Sequence, residues 1–289
     1  MLNLAQVETF VAVVDQGGFH EAARHLGVSQ PTVTQHIKKL EADLARPLIV
    51  RRHGKAAPTG HGAAFLPFAR TLLTVAGRAR AALDGRGLVI GASSNIGVYL
   101  LQPLIKGFTA ALPEVGPVDV RIGSNPETAD RLEASEIDIA LMEWWDGRPG
   151  FDARVWRDEP VVVIVPPDHS WAGQASVDRR ALLSEPLIGG EPGTGTARLL
   201  EKELGVAPED LRSGPQLGST EAVKQAVRAG LGVSLTLQSA VRDEVAAGSL
   251  HALTVEKAPL AKSLYAILSD ALPPASPARA FDGFLSRAA

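Results

Sequence analysis

The sequence predicts a multi-domain chain: a mainly helical N-terminal module, a long linker helix, and a larger C-terminal α/β domain of two sub-domains. Its 289 residues suffice for about two domains at roughly 100 to 200 residues each. Apolar residues up to about residue 84 recur at helical spacing, whereas from residue 87 short apolar runs alternate with helical stretches. Charge divides at the same place. Residues 1–84 hold ten Lys/Arg against six Asp/Glu, a net of +4; the rest hold 19 against 26, a net of −7, within a chain of −3 overall. Five of the seven histidines also fall in the first part. A basic segment joined to an acidic one points to a nucleic-acid-binding module attached to something else, with a merely solvated basic surface as the alternative.

The absence of cysteine excludes a disulfide scaffold, a thiolate nucleophile and any cysteine-ligated metal. The first residues, MLNLAQVETF, have neither a basic start nor an apolar stretch of signal-peptide length, and runs such as Val161 to Val165 stop far short of the roughly 18 residues that cross a bilayer. The expectation is a soluble cytoplasmic protein with no membrane partner.

In the N-terminal module, Leu4, Val7, Phe10, Val11 and Val14 form one apolar helical face closed by Gly17-Gly18. A short helix follows from Phe19 to Leu26, with Ala22 and Ala23 small enough to admit a neighbouring helix, and Gly27 suits a tight turn at positive φ. Ser29 is a plausible N-cap and Pro31 fits the first turn of a third helix through Val33, Ile37, Leu40 and Leu44. Helix, short glycine turn, helix is the arrangement that lays its second helix in the major groove of DNA. Ser29, Gln30, Pro31, Thr32, Thr34, Gln35 and His36 cluster near the start of that helix, where glutamine can pair with adenine and hydroxyls can serve bases or phosphates. Lys38 lies where phosphate contact is expected. A structural three-helix bundle with a polar face is the competing reading. The run Arg46 to Lys55 then reads as a hairpin wing presenting Arg51, Arg52 and Lys55 to phosphates or the minor groove, against a solvated basic loop.

Phe10, Ala22-Ala23, Leu26, Ser29-Gln30-Pro31, Ile37, Leu40-Glu41, Leu44, Leu48, Arg51, Thr59 and Gly62 together resemble the N-terminal signature of LysR-type transcriptional regulators over about the first 60 residues. Arg46 stands where that family usually has glycine, Ile49 where it favours phenylalanine, and Gly54-Lys55 rearranges the wing. The resemblance implies a winged helix-turn-helix over 1–58 and a linker helix over 59–86 that pairs two chains, so that two recognition helices meet an inverted repeat. It implies a homodimer or homotetramer, and favours the tetramer. The apolar stripe of residues 59–84, with Phe65, Leu66, Leu72, Leu73 and Leu83, asks independently for a second copy to bury it, and Pro67 should bend or locally break this helix.

From residue 87 the chain reads as an α/β effector domain. Strands are expected at Leu88–Ile90, Val118–Ile122, Ile137–Met142, Val161–Val165, Leu187–Ile188, Val233–Leu237, Leu250–Leu253 and Leu264–Leu268, with intervening helices and parallel pairing. Crossovers at Pro166–His169 and Ala258-Pro259 suggest two sub-domains, about 87–163 with 264–289 and about 164–263, as in periplasmic binding proteins. Ligands of such folds sit at the carboxyl ends of strands. Ser93, Ser94 and Asn95, then Thr194 and Thr196, then Ser219 and Thr220, each precede a helix, where hydroxyls and N–H groups suit a small anion; ordinary N-capping is the alternative for each. Gly190 to Thr196 nearly spells a phosphate-binding loop but lacks its lysine, and no nucleophile–base pair or metal-spaced set appears, so no enzyme activity, cofactor or metal is expected. The strings GASSNIGVYLLQPL, IDIALME, EPGTGT and GSTEAVKQAVRAGLGVSL resemble the LysR branch that regulates sulfur assimilation and carbon-dioxide fixation, which implies cleft positions for Ser93, Ser94, Glu143, Glu191, Thr194, Thr196, Ser219 and Thr220. Gly190 and Ala197 replace arginines common in that branch. The expected function is a DNA-binding transcriptional regulator modulated by a small anionic effector, with RNA polymerase as a further partner. The alternative is a sensor module without sequence-specific DNA binding.

Overall fold

A computed structural model of the chain describes residues 2–52, 55–83, 87–189, 195–205, 217–256 and 260–288. The chain forms two compact units, Met1–Arg86 with Ala134–Glu136, and Gly87–Glu133 with Ile137–Ala289.

In the first unit, α1 (Leu4–Gln16) is capped by Asn3, whose Oδ1 accepts from the Ala5 N–H at 2.9 Å. After α2 (Phe19–Leu26) the chain reverses at Gly27 with φ +66°, a conformation that a side chain would strain. Ser29 caps α3 (Gln30–Leu44), its Oγ accepting from the Thr32 N–H at 3.3 Å, with Pro31 in the first turn. Val7, Phe10 and Val13 of α1 meet Ala22 of α2 and Val33, Ile37 and Leu40 of α3 in one core, all buried. The apolar spacing that made each helix amphipathic thus assembles the three.

The hairpin of β1 (Ile49–Arg52) and β2 (Lys55–Pro58) follows, in antiparallel register from Ile49 opposite Pro58 to Arg52 opposite Lys55. It is fastened to α3 by Glu41, whose Oε1 accepts from the Leu48 N–H at 2.7 Å and the Ile49 N–H at 3.1 Å. The Ala56 N–H donates to the Gly17 carbonyl at 3.0 Å, tying the hairpin to the end of α1 as well. Next, α4 (Gly60–Leu83) runs through Pro67 without the local break that proline can cause, so the linker helix is kept. Phe65 packs on Phe10 with ring centroids 5.5 Å apart, and Leu66 and Leu73 also join the core. On another face, Phe68, Leu72 and Val75 are exposed at i, i+4 and i+7, Phe68 by 69%.

The second unit is a two-lobed, periplasmic-binding-like fold on a mixed sheet. The first lobe holds β3 (Leu88–Ser93) between parallel neighbours β4 (Val118–Gly123) and β5 (Ile139–Met142). Central β3 and β5 are continuous apolar runs, whereas β4 at the edge alternates, as a half-covered strand should. A π-helical turn (Ile96–Leu100) leads into α5 (Leu101–Ala111), and α6 (Asn125–Glu133) follows β4.

The expectation of parallel pairing throughout is corrected at the centre of the sheet. Two long strands, β6 (Phe151–Val165) and β10 (Leu260–Ser269), pair antiparallel with each other, and β10 pairs antiparallel with β5. The last residues of β6 pair antiparallel with β8 (Ser234–Leu237) and β9 (His251–Val255) of the second lobe. Pro166 to His169 form a turn after β6, and Ala258-Pro259 lie outside the described residues. Short β7 (Ser176–Val177) lies parallel to β9. Leu187 makes a single parallel bridge to Val233 in place of an expected strand. The second lobe adds α7 (Arg179–Ser184), α8 (Gly195–Leu204), α9 (Thr220–Arg228) and α10 (Arg242–Ala246), and α11 (Pro277–Ala288) returns to the first, where Phe281 packs on Phe108. Among the described residues, no helix is long and apolar enough to cross a membrane.

Candidate nucleic-acid interface and ligand cleft

Helical spacing brings Gln30, Pro31, Thr34, Gln35 and Lys38 onto one face of α3, where they line a single open concavity. Gln30, Gln35 and Lys38 are exposed. The neighbouring hydroxyls have local work: Ser29 Oγ lies 2.8 Å from Thr32 Oγ1, and Thr34 Oγ1 donates to the Gln30 carbonyl at 3.1 Å. His36 turns inward. Its Nδ1 lies 2.8 Å from Oγ1 of buried Thr9, which itself donates to the Ala5 carbonyl at 2.7 Å. A hydroxyl has one proton, so His36 supplies the N–H of that contact and locks α3 to α1. Arg51 and Arg52 lie on β1 and exposed Lys55 on β2, so the hairpin gathers three basic residues within one short ribbon.

In the second unit, Ser93, Ser94, Asn95, Glu143, Thr196, Ser219 and Thr220 line one cleft of about 220 Å³, together with Ser124, Asn125, Trp144, Ser234, Thr236 and Lys262. Glu191 and Thr194 lie outside the described residues. The topology explains the convergence: Ser93 ends β3, Glu143 follows β5, and Thr196 and Thr220 open α8 and α9.

A chain of polar contacts crosses this cleft. Thr220 Oγ1 donates to Asn95 Oδ1 at 2.6 Å, Asn95 Nδ2 donates to Glu143 Oε1 at 3.0 Å, and Lys262 Nζ donates to Glu143 Oε2 at 2.9 Å and to Thr196 Oγ1 at 3.3 Å. Asn125 steadies the Glu143 segment, accepting from the Glu143 N–H at 3.0 Å and donating to the Trp144 carbonyl at 2.7 Å. The guanidinium of Arg198 stacks 3.9 Å over the Trp144 ring. Ser219 is committed to capping α9, its Oγ accepting from the Ala222 N–H at 3.2 Å. Ser94 Oγ donates to the Gly123 carbonyl at 3.0 Å. Ser93 Oγ, by contrast, has no hydrogen-bond partner among the described residues although the residue is only 3% exposed. A buried hydroxyl without a partner is uncommon in a folded protein.

Lys262, Trp144 and Asn125 escaped the reading of the sequence. For Lys262 a signal existed: it shares the inward face of β10 with Leu260 and Leu264, and a lysine at an inward position is a functional candidate. Beside the cleft, Lys224 is buried yet held above the ordinary lysine value. Burial disfavours its charge, but hydrogen bonds to Glu221 and Glu244 outweigh that. Glu221 is in turn pulled below the ordinary carboxylate value by hydrogen bonds from Lys224 and Gln225. Among the described residues, no group of three His, Asp or Glu side chains could hold a metal ion.

Comparison with known proteins agrees with both halves. Residues 4–63 match the family described as bacterial regulatory helix-turn-helix protein, lysR family, and residues 81–289 match the LysR substrate binding domain. The HTH-type transcriptional regulator CbbR of Sinorhizobium medicae is 33% identical over 98% of this chain and 92% of its own length. The putative HTH-type transcriptional regulator protein PtxE of Stutzerimonas stutzeri is 46% identical over 68% of this chain and all of its own length. The fold matches the crystal structure of full-length CbnR in complex with its target DNA, at a TM-score of 0.72, 23% identity and full coverage of both chains. LysR regulators bind DNA and small-molecule effectors, form oligomers and are not enzymes. With its helix-turn-helix and its two-lobed domain both accounted for along the length of the chain, the protein belongs to the LysR family of DNA-binding transcriptional regulators with a C-terminal effector-binding domain.

Proposed function

We propose that residues 1–58 read duplex DNA, that residues 59–86 pair two chains over an inverted repeat, and that residues 87–289 hold a small anionic effector in the cleft between sub-domains I and II. The observation that carries the DNA reading is the exposed polar face of α3, with Gln30, Thr34, Gln35 and Lys38 side by side at the start of a helix whose other face is core. Gln30 and Gln35 read base edges, Lys38 and the hairpin residues Arg51, Arg52 and Lys55 meet phosphates, and Ser29 and Thr32 fix the start of the helix. His36 orients the helix through Thr9.

The exposed stripe Phe68, Leu72 and Val75 on α4 supports pairing of two chains, and dimers of dimers would extend the assembly to a tetramer. The assembly works in the cytoplasm, where RNA polymerase is the machine it would act on. The effector shifts the balance between two arrangements by binding one of them better. Its anionic character is supported by Lys262, the Ser93 hydroxyl, without a partner among the described residues, and the helix starts at Thr196 and Thr220.

Salt titration of the full chain on duplex DNA from its own promoter region tests the DNA reading. Affinity should fall steeply with salt, as contact with several phosphates requires, and a footprint should cover two half-sites. Binding that ignores salt, or no footprint, overturns it.

A further inference from the structure

The two charged side chains among the described residues lining the cleft are Lys262 and Glu143, and they are paired. Lys262 is 6% exposed and Glu143 10% by side chain, so neither charge is screened by bulk water. An anion drawn to Lys262 must therefore settle beside a carboxylate that is already there. Glu143 accepts from Lys262 and Asn95 through its two oxygens, and as an ionised carboxylate it can only accept. A ligand oxygen that also lacks a proton would face it across the cleft with no hydrogen between them, a repulsive and partly desolvated contact. A ligand oxygen that carries a proton would instead donate to Glu143 while its charge met Lys262. Ser93 Oγ, buried and without a partner among the described residues, supplies a further donor or acceptor in the same space.

From this we infer that the cleft selects oxyanions bearing their own hydrogen-bond donor, such as a hydrogen phosphate group, and rejects fully deprotonated ones of the same shape, with Glu143 as the residue that makes the distinction. The inference rests on the proposed anion-binding role of the cleft and adds a rule for which anions enter. Discrimination of this type works through an unfavourable contact with the wrong ligand as much as a favourable one with the right ligand.

Phosphate and sulfate form the test pair: both are tetrahedral and similar in size, but at neutral pH phosphate keeps a proton and sulfate does not. Calorimetric titration of the full chain with each, at constant ionic strength, should give at least about tenfold tighter binding of phosphate, within the range expected when one buried polar group is left mispaired. In E143Q the amide can donate to sulfate, so the preference should shrink to within about threefold, mainly through a gain for sulfate. In K262M both anions should lose at least about tenfold. Equal binding of phosphate and sulfate by the wild-type chain, or an undiminished preference in E143Q, overturns the selection rule while leaving anion binding intact. No binding of either anion overturns the anion reading and the rule with it. The wild-type ratio alone decides if E143Q does not melt in a single transition.

Discussion

Replacing Glu41 with alanine should free the hairpin from the recognition helix. Its Oε1 accepts from two successive N–H groups, Leu48 at 2.7 Å and Ile49 at 3.1 Å, both part-buried. A hydrogen bond to a charged group contributes about 1.5–3 kcal/mol, and a buried donor left unpaired loses about 1–3 kcal/mol. Water can reach part of this site, so the two bonds together should be worth about 2–4 kcal/mol rather than the full sum. Glu41→Gln keeps an acceptor oxygen in place and should cost only about 1 kcal/mol. At about 1.4 kcal/mol per tenfold, alanine should raise hydrogen exchange at Leu48 and Ile49 by about 30- to 1000-fold, and glutamine by about fivefold.

The measurement is hydrogen exchange of the full chain, followed in peptides covering Leu48 and Ile49, with peptides from β3 as an internal control in the other unit. Affinity for all duplexes should fall together in the alanine variant, because Arg51, Arg52 and Lys55 ride on the same hairpin. Exchange within twofold of wild type in Glu41→Ala would show that the carboxylate is not the clamp. Equal exchange in the alanine and glutamine variants would refute the weight placed on the acceptor oxygen.

Three further outcomes are expected. A Cβ added at Gly62 would sit 3.0 Å from the Leu48 carbonyl carbon and 3.2 Å from Pro58 Cβ, so Gly62→Ala should destabilise the first unit by about 1–3 kcal/mol in urea melts; a change below about 0.5 kcal/mol would contradict this. Gln35→Ala should relax sequence preference while Arg51→Ala weakens specific and random duplexes alike, and a uniform loss in Gln35→Ala would remove Gln35 from base reading. Glu221 has a lowered folded value, so its stabilisation is complete above the ordinary carboxylate value of 4.5 and is lost as pH falls through the folded one. Stability of Glu221→Gln should therefore depend less steeply on pH between about 5 and 3 than that of wild type, and parallel curves would count against the Lys224 pairing.

Local signals made the first unit readable. The Gly17 stop, the Gly27 turn, the Ser29 cap and Pro31 in the first turn all act within a few residues of where they stand, and the structure uses each one. Pro67 leaves α4 continuous because its effect on a helix depends on what holds the flanking turns. Here Phe65 and Leu66 on one side and Leu73 on the other are anchored in the same core, which keeps α4 continuous. The second unit was readable as alternating elements but not as a pairing scheme. Nothing local in β6 or β10 states that they run antiparallel to each other, since direction is set by which elements lie between them and where each lobe closes.

The cleft divides along the same line. Ser93, Thr196 and Thr220 were legible because each stands at a strand end or a helix start, and topology alone carries such positions to a crevice. Lys262 was hidden because β10 begins sooner than its apolar core, Leu264 to Leu268, suggests. Once the strand starts at Leu260, alternation turns Lys262 inward, where an uncompensated ammonium would be costly to bury. Glu143 is then the partner that makes the buried lysine tolerable. His36 follows the same logic in the first unit. By its position in sequence it belongs with the base-reading residues, but its partner Thr9 is 27 residues away, and only the packed helices show that its ring positions α3 against α1. Sequence spacing identifies which face a residue occupies; whether its polar atoms are free for a ligand depends on partners that folding brings from elsewhere in the chain.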